Sequence, residues 1–301
     1  MAIYHLSVKN IGRGHGRSAV ACAAYRAGSR IADERRGSVA DYRRKSGVVL
    51  SEIVLPAGAP AWMGDRAKLW NAVEQAEKRK DARLAKEIVV ALPHELTDDE
   101  RAGLARSFAL ALAGQGMVAD LNIHRPHREG DARNHHAHIM LTTRDIAGDG
   151  FGKKMRALDQ KAFVHVVREL WAGLVNEVLA DGGHAVRVDH RSLNEQGIER
   201  IPQIKEGPKV RVIVRKKRRL PPSRVRKVRA SRQGRAREVD YRKIDRGRSR
   251  AERNEEIRQL NRERATRERD IRQPSWKRRA TEPPFPYLER DRVRDLPSRN
   301  R

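Results

Sequence analysis

Cysteine is almost absent: the 301-residue chain has one, Cys22. A single thiol excludes a disulfide-stapled scaffold and any Cys-rich zinc module, and it fits a reducing compartment. Aromatic residues make up only 4% of the chain, which argues against a broad base-stacking platform. Long apolar runs are missing too. The longest weakly polar stretch, 108–119, is far short of the roughly 20 residues that cross a bilayer. The opening MAIYHLSVKN lacks the basic, apolar and small-residue layout of a signal peptide. Together these absences predict a soluble, cytoplasmic protein.

Acidic charge is the remaining deficit. Lys and Arg number 66 against 39 Asp and Glu, a formal net charge of +27. Residues 201–301 hold 35 of the basic groups and 14 of the acidic ones, so the last third is a cationic appendage on a nearly balanced body. Such a field favours a polyanion, nucleic acid before an anionic membrane, and an Arg-dominated stretch suits forked contacts to phosphate.

Within the body, β-type composition over Ala2–Lys9 leads into a flexible basic loop with Gly12, Gly14 and Gly16. Ser18 caps a small-residue helix running to about Gly28. Residues 30–46 look like an exposed basic excursion, and Val48–Leu55 reads as a strand stopped by Pro56. Helical spacing then runs from Asp65 to about Lys80, strand pattern from Leu84 to Leu92, and the Thr97/Glu100 capping box opens a helix to about Gly114. Met117–His124 and His136–Thr143 read as strands joined by the polar loop 125–134. A helix over Asp159–Leu179 and a short strand over Ala185–Asp189 follow. Short connections favour antiparallel pairing, so the predicted class is α+β, a central antiparallel sheet with helices packed on it. After Pro208 the pattern decays. We expect a domain over 1–208 and a basic extension over 209–301 that is disordered or marginally helical, with a charged helix near 250–272.

The segment Asn134-His135-His136-Ala137-His138 carries the strongest chemical signal. On a strand, His136 and His138 share a face while His135, Ala137 and Ile139 take the other. Pairing with the preceding strand would add His124, which shares a face with Asn122 and Asp120, and so complete a three-histidine metal site. His127 in the intervening loop competes with His124 as third ligand. Among five tyrosines, Tyr25 stands out because it lies late in a small-residue helix after a Gly/Arg loop, beside Arg26. A metal-polarised phosphate, a phenol nucleophile and a basic surround make a coherent phosphoryl-transfer site. Arg13, Arg17, Arg35, Arg36, Arg43 and Arg44 are candidate contacts to hairpin or single-stranded DNA.

These residues resemble the MobA/MobL (MOBQ-type) plasmid relaxases and the N-terminal domains of TraA-type conjugation proteins. The likeness rests on Ile3–Ser7 with Ser18–Gly28, on Lys86–Leu96, on His124 with Asn134–His138 and Thr142–Arg144, and on Asp189–Leu193 with Gln196–Ile198. The resemblance implies a relaxase of the kind named for two histidines around one apolar residue, with the fold of that class. Its tyrosine nucleophile falls on Tyr25, its metal ligands on His124, His136 and His138, and its acidic residue on Glu87, which assists metal binding or accepts the tyrosine proton. It implies strand-specific nicking and rejoining at a transfer origin through a 5′-phosphotyrosine, with manganese or magnesium. Imidazoles by intrinsic affinity would take zinc or nickel. The implied partners are origin DNA, relaxosome accessory proteins and a secretion coupling protein. Lys86 replaces the family's common Arg, and Lys205 stands where His is frequent. A rolling-circle replication initiator with the same chemistry and a non-enzymatic nucleic-acid-binding accessory protein are the rival functions.

Overall fold

The computed structural model describes residues 3–126, 131–204, 225–228, 237–240 and 250–272. His127, Lys205 and the boundary expected at 208 lie outside them. The chain divides into two compact units, Met1–His190 and Arg191–Arg301.

The first unit is built on one five-stranded sheet, in the order β1 (Leu6–Gly12), β5 (Arg83–Ala91), β7 (His136–Thr142), β6 (Ala119–His124) and β4 (Val48–Val54). Every neighbouring pair is antiparallel, which confirms the expected α+β class. Period-two alternation sorts the strands' side chains onto two faces. Ile88, Val90, Leu121, Ile123, Ala137 and Ile139 turn to one core, which is covered by helices α3 (Asp98–Ala113) and α4 (Lys161–Asp181). Phe108 of α3 and Trp171 of α4 meet there with ring centroids 5.0 Å apart.

The other face packs Ala85, Val118 and Met140 under helices α1 (Ala19–Ala27) and α2 (Arg66–Ala76). Ala19, Ala23 and Ala24 are fully buried, so α1 approaches the sheet closely because its inner face carries little more than methyl groups. Ser18 caps it, its side chain accepting from Ala21 N–H. Gly28 ends it in the left-handed region, φ 63°, one turn after the tyrosine. The capping box at Thr97 and Glu100 is present at the start of α3 as the sequence predicts.

Four local readings change. The glycine-rich loop is shorter than expected, because β1 extends to Gly12 and a single 3-10 turn follows at Arg13–His15. The basic excursion is an ordered hairpin, β2 (Arg30–Asp33) with β3 (Ser38–Asp41), anchored by buried Ile31 and by Asp33, which accepts from the Ser18 hydroxyl. A second hairpin, β8 (Arg144–Ala147) with β9 (Gly150–Lys154), occupies a stretch that carries too little apolar alternation to signal strands. Residues 185–189 form no strand. The backbone of Val188 is instead held from both sides by the Asn176 amide of α4, at 2.8 and 2.9 Å.

Tyr4 ties the chain just ahead of β1 to α4 by donating to the Arg168 carbonyl at 2.9 Å. Burial pushes its phenol up to about 12 from 10.0. The stability this contact contributes is complete below pH 10 and is lost as pH climbs through 12. Tyr4→Phe should lower stability by about 1 kcal/mol at neutral pH and flatten that alkaline limb in denaturant melts.

In the second unit, β10 (Val225–Val228) pairs with β11 (Arg237–Asp240) in a hairpin that the tail's composition did not announce. The expected charged helix is α5 (Arg250–Arg272). Two of its asparagines, seven residues apart and so on one face, clamp an extended arm. Asn254 bonds the Ile204 backbone twice, at 2.7 Å each, and Asn261 bonds that of Ile201 twice, at 2.9 Å each. Among the described residues no helix is long and apolar enough to cross a membrane.

Candidate metal and nucleophile site

The α1/α2 face of the sheet carries a polar edge. In β6 the residues facing this way are Asp120, Asn122 and His124, and in β7 they are His136, His138 and Met140. Register sets His124 directly opposite His136, and Asn122 opposite His138. Three imidazoles therefore converge, with ring centroids 4.8 to 5.4 Å apart and one candidate ligand nitrogen from each lying within 4.8 Å of the others. The sequence argument for His124 as the partner of the His136/His138 pair describes this geometry.

Each ring is oriented by an acceptor. His136 Nδ1 donates to the Asn134 carbonyl at 2.9 Å and His138 Nδ1 to Glu87 Oε1 at 2.8 Å, so Nε2 is the basic nitrogen of both. His124 Nε2 lies 2.7 Å from the Arg26 carbonyl; a carbonyl only accepts, so Nδ1 is the basic nitrogen there. Burial disfavours the charged form of two of the rings. It pushes His124 down to about 4 and lowers His136, with the neighbouring Lys45 ammonium acting in the same direction. Three pre-oriented imidazoles make a donor set that suits a divalent cation, so the triad can hold a metal ion.

Behind the histidines lies a buried ionic link. Glu87 is bound by Arg26 through Nε at 2.7 Å and Nη2 at 2.6 Å as well as by His138. Burial pushes the Glu87 carboxyl up, but the His138 hydrogen bond and the Arg26 guanidinium outweigh it and bring the group down to about 2. A carboxylate so engaged is a weak proton acceptor, and its place is to orient His138. Arg26 thus orients two of the three histidines at once, His124 through its carbonyl and His138 through Glu87. Further along β6, Asn122 and Asp120 continue the polar row: Asn122 accepts from Ser51 and donates to Asp120, which accepts from Arg66 and from the Trp70 indole.

Tyr25, the residue before Arg26, is 49% exposed. Its ring meets the edge of Tyr42 at 5.2 Å, nearly perpendicular. Lys45 Nζ sits 4.1 Å above the ring centroid, donates to the Tyr25 carbonyl at 2.8 Å and lies 3.2 Å from His124 Nε2. Burial, with help from Arg26, lowers the Lys45 ammonium to about 8. Sequence reasoning left Tyr42 and Lys45 within a generic basic excursion. The signal that could have found them is the alternation flanking the turn at 34–37, which makes 30–41 a hairpin and brings residues 42–45 back to α1.

The arginines separate into two groups. Arg17, Arg35, Arg36, Arg43 and Arg44 are exposed, with Arg43 forked onto Asp41 and Arg36 donating to the Gly16 carbonyl. Arg13 is different: its side chain is 5% exposed and its guanidinium is spent on the Glu74 carboxylate and on the carbonyls of Glu74, Glu77 and Arg79. Glu74 also accepts from Ala19 N–H at the start of α1. Arg13 is therefore a strut between α2 and α1 and has no donor to offer DNA. Removing one partner of a buried pair strands the other, so Arg13→Ala should cost about 3–5 kcal/mol. Arg17→Ala, at an exposed side chain, should by contrast leave the melting temperature in place in thermal melts.

Residues 17–216 match the MobA/MobL family. A mobilization protein MobL from Acidithiobacillus ferridurans is 44% identical over 239 residues, covering 69% of this chain and 62% of the relative. A probable conjugal transfer protein TraA from Sinorhizobium fredii is 39% identical, covering 72% of this chain and 22% of the relative. The chain thus spans less than two thirds of the length of either. A solved structure described as the molecular basis of vancomycin resistance transfer in Staphylococcus aureus aligns with 64% of this chain and all of its own. It is 34% identical, with a TM-score of 0.60. With two thirds of its length matched and a relative 44% identical over 239 residues, the chain belongs to the MobA/MobL family.

Proposed function

We propose that the chain is a plasmid mobilisation relaxase that nicks and rejoins one DNA strand at a transfer origin through Tyr25. The observation that carries this reading is the meeting of His124, His136 and His138 beside the helix turn that presents a half-exposed tyrosine. The Tyr25 phenolic oxygen attacks the scissile phosphorus; the new P–O bond forms as the bond to the 3′ oxygen breaks. That oxygen leaves as a hydroxyl after taking a proton, and the 5′ phosphate stays on the tyrosine. Because one ester replaces another, the reverse attack by a 3′-hydroxyl reseals the strand without nucleotide hydrolysis.

A divalent ion held by the three imidazoles would supply charge withdrawal from the phosphate oxygens. Its identity follows the family, manganese or magnesium, with zinc or nickel favoured by imidazole affinity. The protein's own part is to fix the rings through Asn134, Glu87 and Arg26, to hold the phenol between Tyr42 and Lys45, and to leave that phenol open to solvent, where its proton can go. The exposed Arg17, Arg35, Arg36, Arg43 and Arg44 surround the turns next to α1 and supply phosphate contacts to origin DNA. The basic residues beyond 208 add salt-sensitive retention. In this reading the protein works in a bacterial cytoplasm, with relaxosome accessory proteins and a coupling protein as partners.

Incubation of the full chain with its origin single strand and manganese tests the reading. A covalent adduct that survives denaturing electrophoresis and carries the 5′ end supports it. Tight binding with no cleavage under any metal makes the protein a DNA-binding accessory instead.

A further inference from the structure

Beyond bordering the phenol, Lys45 takes no part in the bond exchange above, yet it touches both halves of the site. The turn that carries it is pinned on two sides. Tyr42 N–H donates to the Ser29 carbonyl at 3.0 Å and Lys45 N–H to the Tyr42 carbonyl at 2.9 Å. On the far side, Arg125 N–H donates to the Gly47 carbonyl at 2.8 Å and Val48 pairs with His124. From this fixed base the side chain reaches the Tyr25 carbonyl, the Tyr25 ring face and the edge of His124. The last contact is not attractive. His124 Nε2 already gives its hydrogen to the Arg26 carbonyl, so the ammonium meets a second N–H and no lone pair. The placement is held by tyrosine, through a charge-assisted hydrogen bond and a cation–π contact, against a histidine that offers nothing in return.

We infer that Lys45 is a positioning residue with two linked effects: it locks Tyr25 beside the triad, and its fixed positive charge weakens the triad's hold on a divalent ion. This rests on the triad being a metal centre. A resident cation 3.2 Å from one imidazole of a cation site opposes binding by Coulomb repulsion, and in a half-buried setting water screens this only in part. The site would then take its ion most readily once an anionic phosphate has arrived to offset the ammonium, coupling metal loading to DNA.

The test measures manganese binding to the DNA-free full chain by calorimetry for wild type, Lys45→Met and Lys45→Arg. Lys45→Met keeps the stem and removes the charge, and it should bind manganese about tenfold more tightly, while Lys45→Arg stays near wild type. Tighter binding is a result that structural damage would not produce. Single-turnover nicking by Lys45→Met at saturating manganese should fall about tenfold as the phenol loses its clamp. Unchanged or weaker manganese binding by Lys45→Met overturns the electrostatic claim and leaves the metal centre intact. An unchanged nicking rate overturns the clamp. A wild-type protein that binds no divalent ion overturns both this inference and the metal reading beneath it.

Discussion

Tyr25→Phe should abolish the covalent protein–DNA adduct and lower strand cleavage by at least about 10⁴-fold, the scale on which loss of a nucleophile is felt. The substitution removes one oxygen and little else. The Phe ring keeps its edge contact with the Tyr42 ring and its face toward Lys45, and the Tyr25 backbone carbonyl that receives the Lys45 hydrogen bond is untouched. Because the ring is half exposed and lies outside the two cores, thermal stability and origin-strand affinity should hold near wild type, so a lost adduct reports chemistry and not folding. Tyr42 is the internal control. It is the only other tyrosine stacked at the site among the described residues, and Tyr42→Phe should retain the adduct. Equal cleavage by wild type and Tyr25→Phe would move the nucleophile elsewhere.

The parts of this site that could be read in the sequence are those fixed by strand periodicity. His136 and His138 share a face because they lie two positions apart on a strand, and His124 joins them because the chain between β6 and β7 is short enough to favour adjacent antiparallel pairing. A second short-range signal, N-cap chemistry, gave the capping box at Thr97 and the Ser18 cap of α1. What escaped was set by distant packing. Arg13 lies among glycines and other basic residues and looks like a surface charge; only the return of α2 at Glu74 buries it. Arg26 and Glu87 are 61 residues apart, and nothing local in either segment says that they meet. Lys45 belongs to the site only because β2 and β3 fold into a hairpin, and that hairpin's apolar signal amounts to little more than Ile31 and Val39.

The Arg26–Glu87–His138 link yields the second large effect. Glu87→Ala leaves a guanidinium buried without its partner and His138 without its acceptor, which should cost about 3–5 kcal/mol of stability and would confound any reading of activity. Glu87→Gln is the sharper probe. Its amide oxygen can still accept from His138 while the neutral side chain leaves the Arg26 charge uncompensated a few ångströms behind a metal ligand. The ligand loses basicity and the site gains net positive charge, and both changes oppose cation binding. Loss of an outer partner of a metal-bound histidine typically costs about 10–100-fold in affinity, so manganese binding should weaken by that factor. A carboxylate held by Arg26 and His138 is a poor proton acceptor, so raising manganese should restore most of the adduct rate in Glu87→Gln. A rate that stays low at saturating metal would instead give Glu87 a direct part in proton transfer, and an unchanged metal affinity would detach it from the triad altogether.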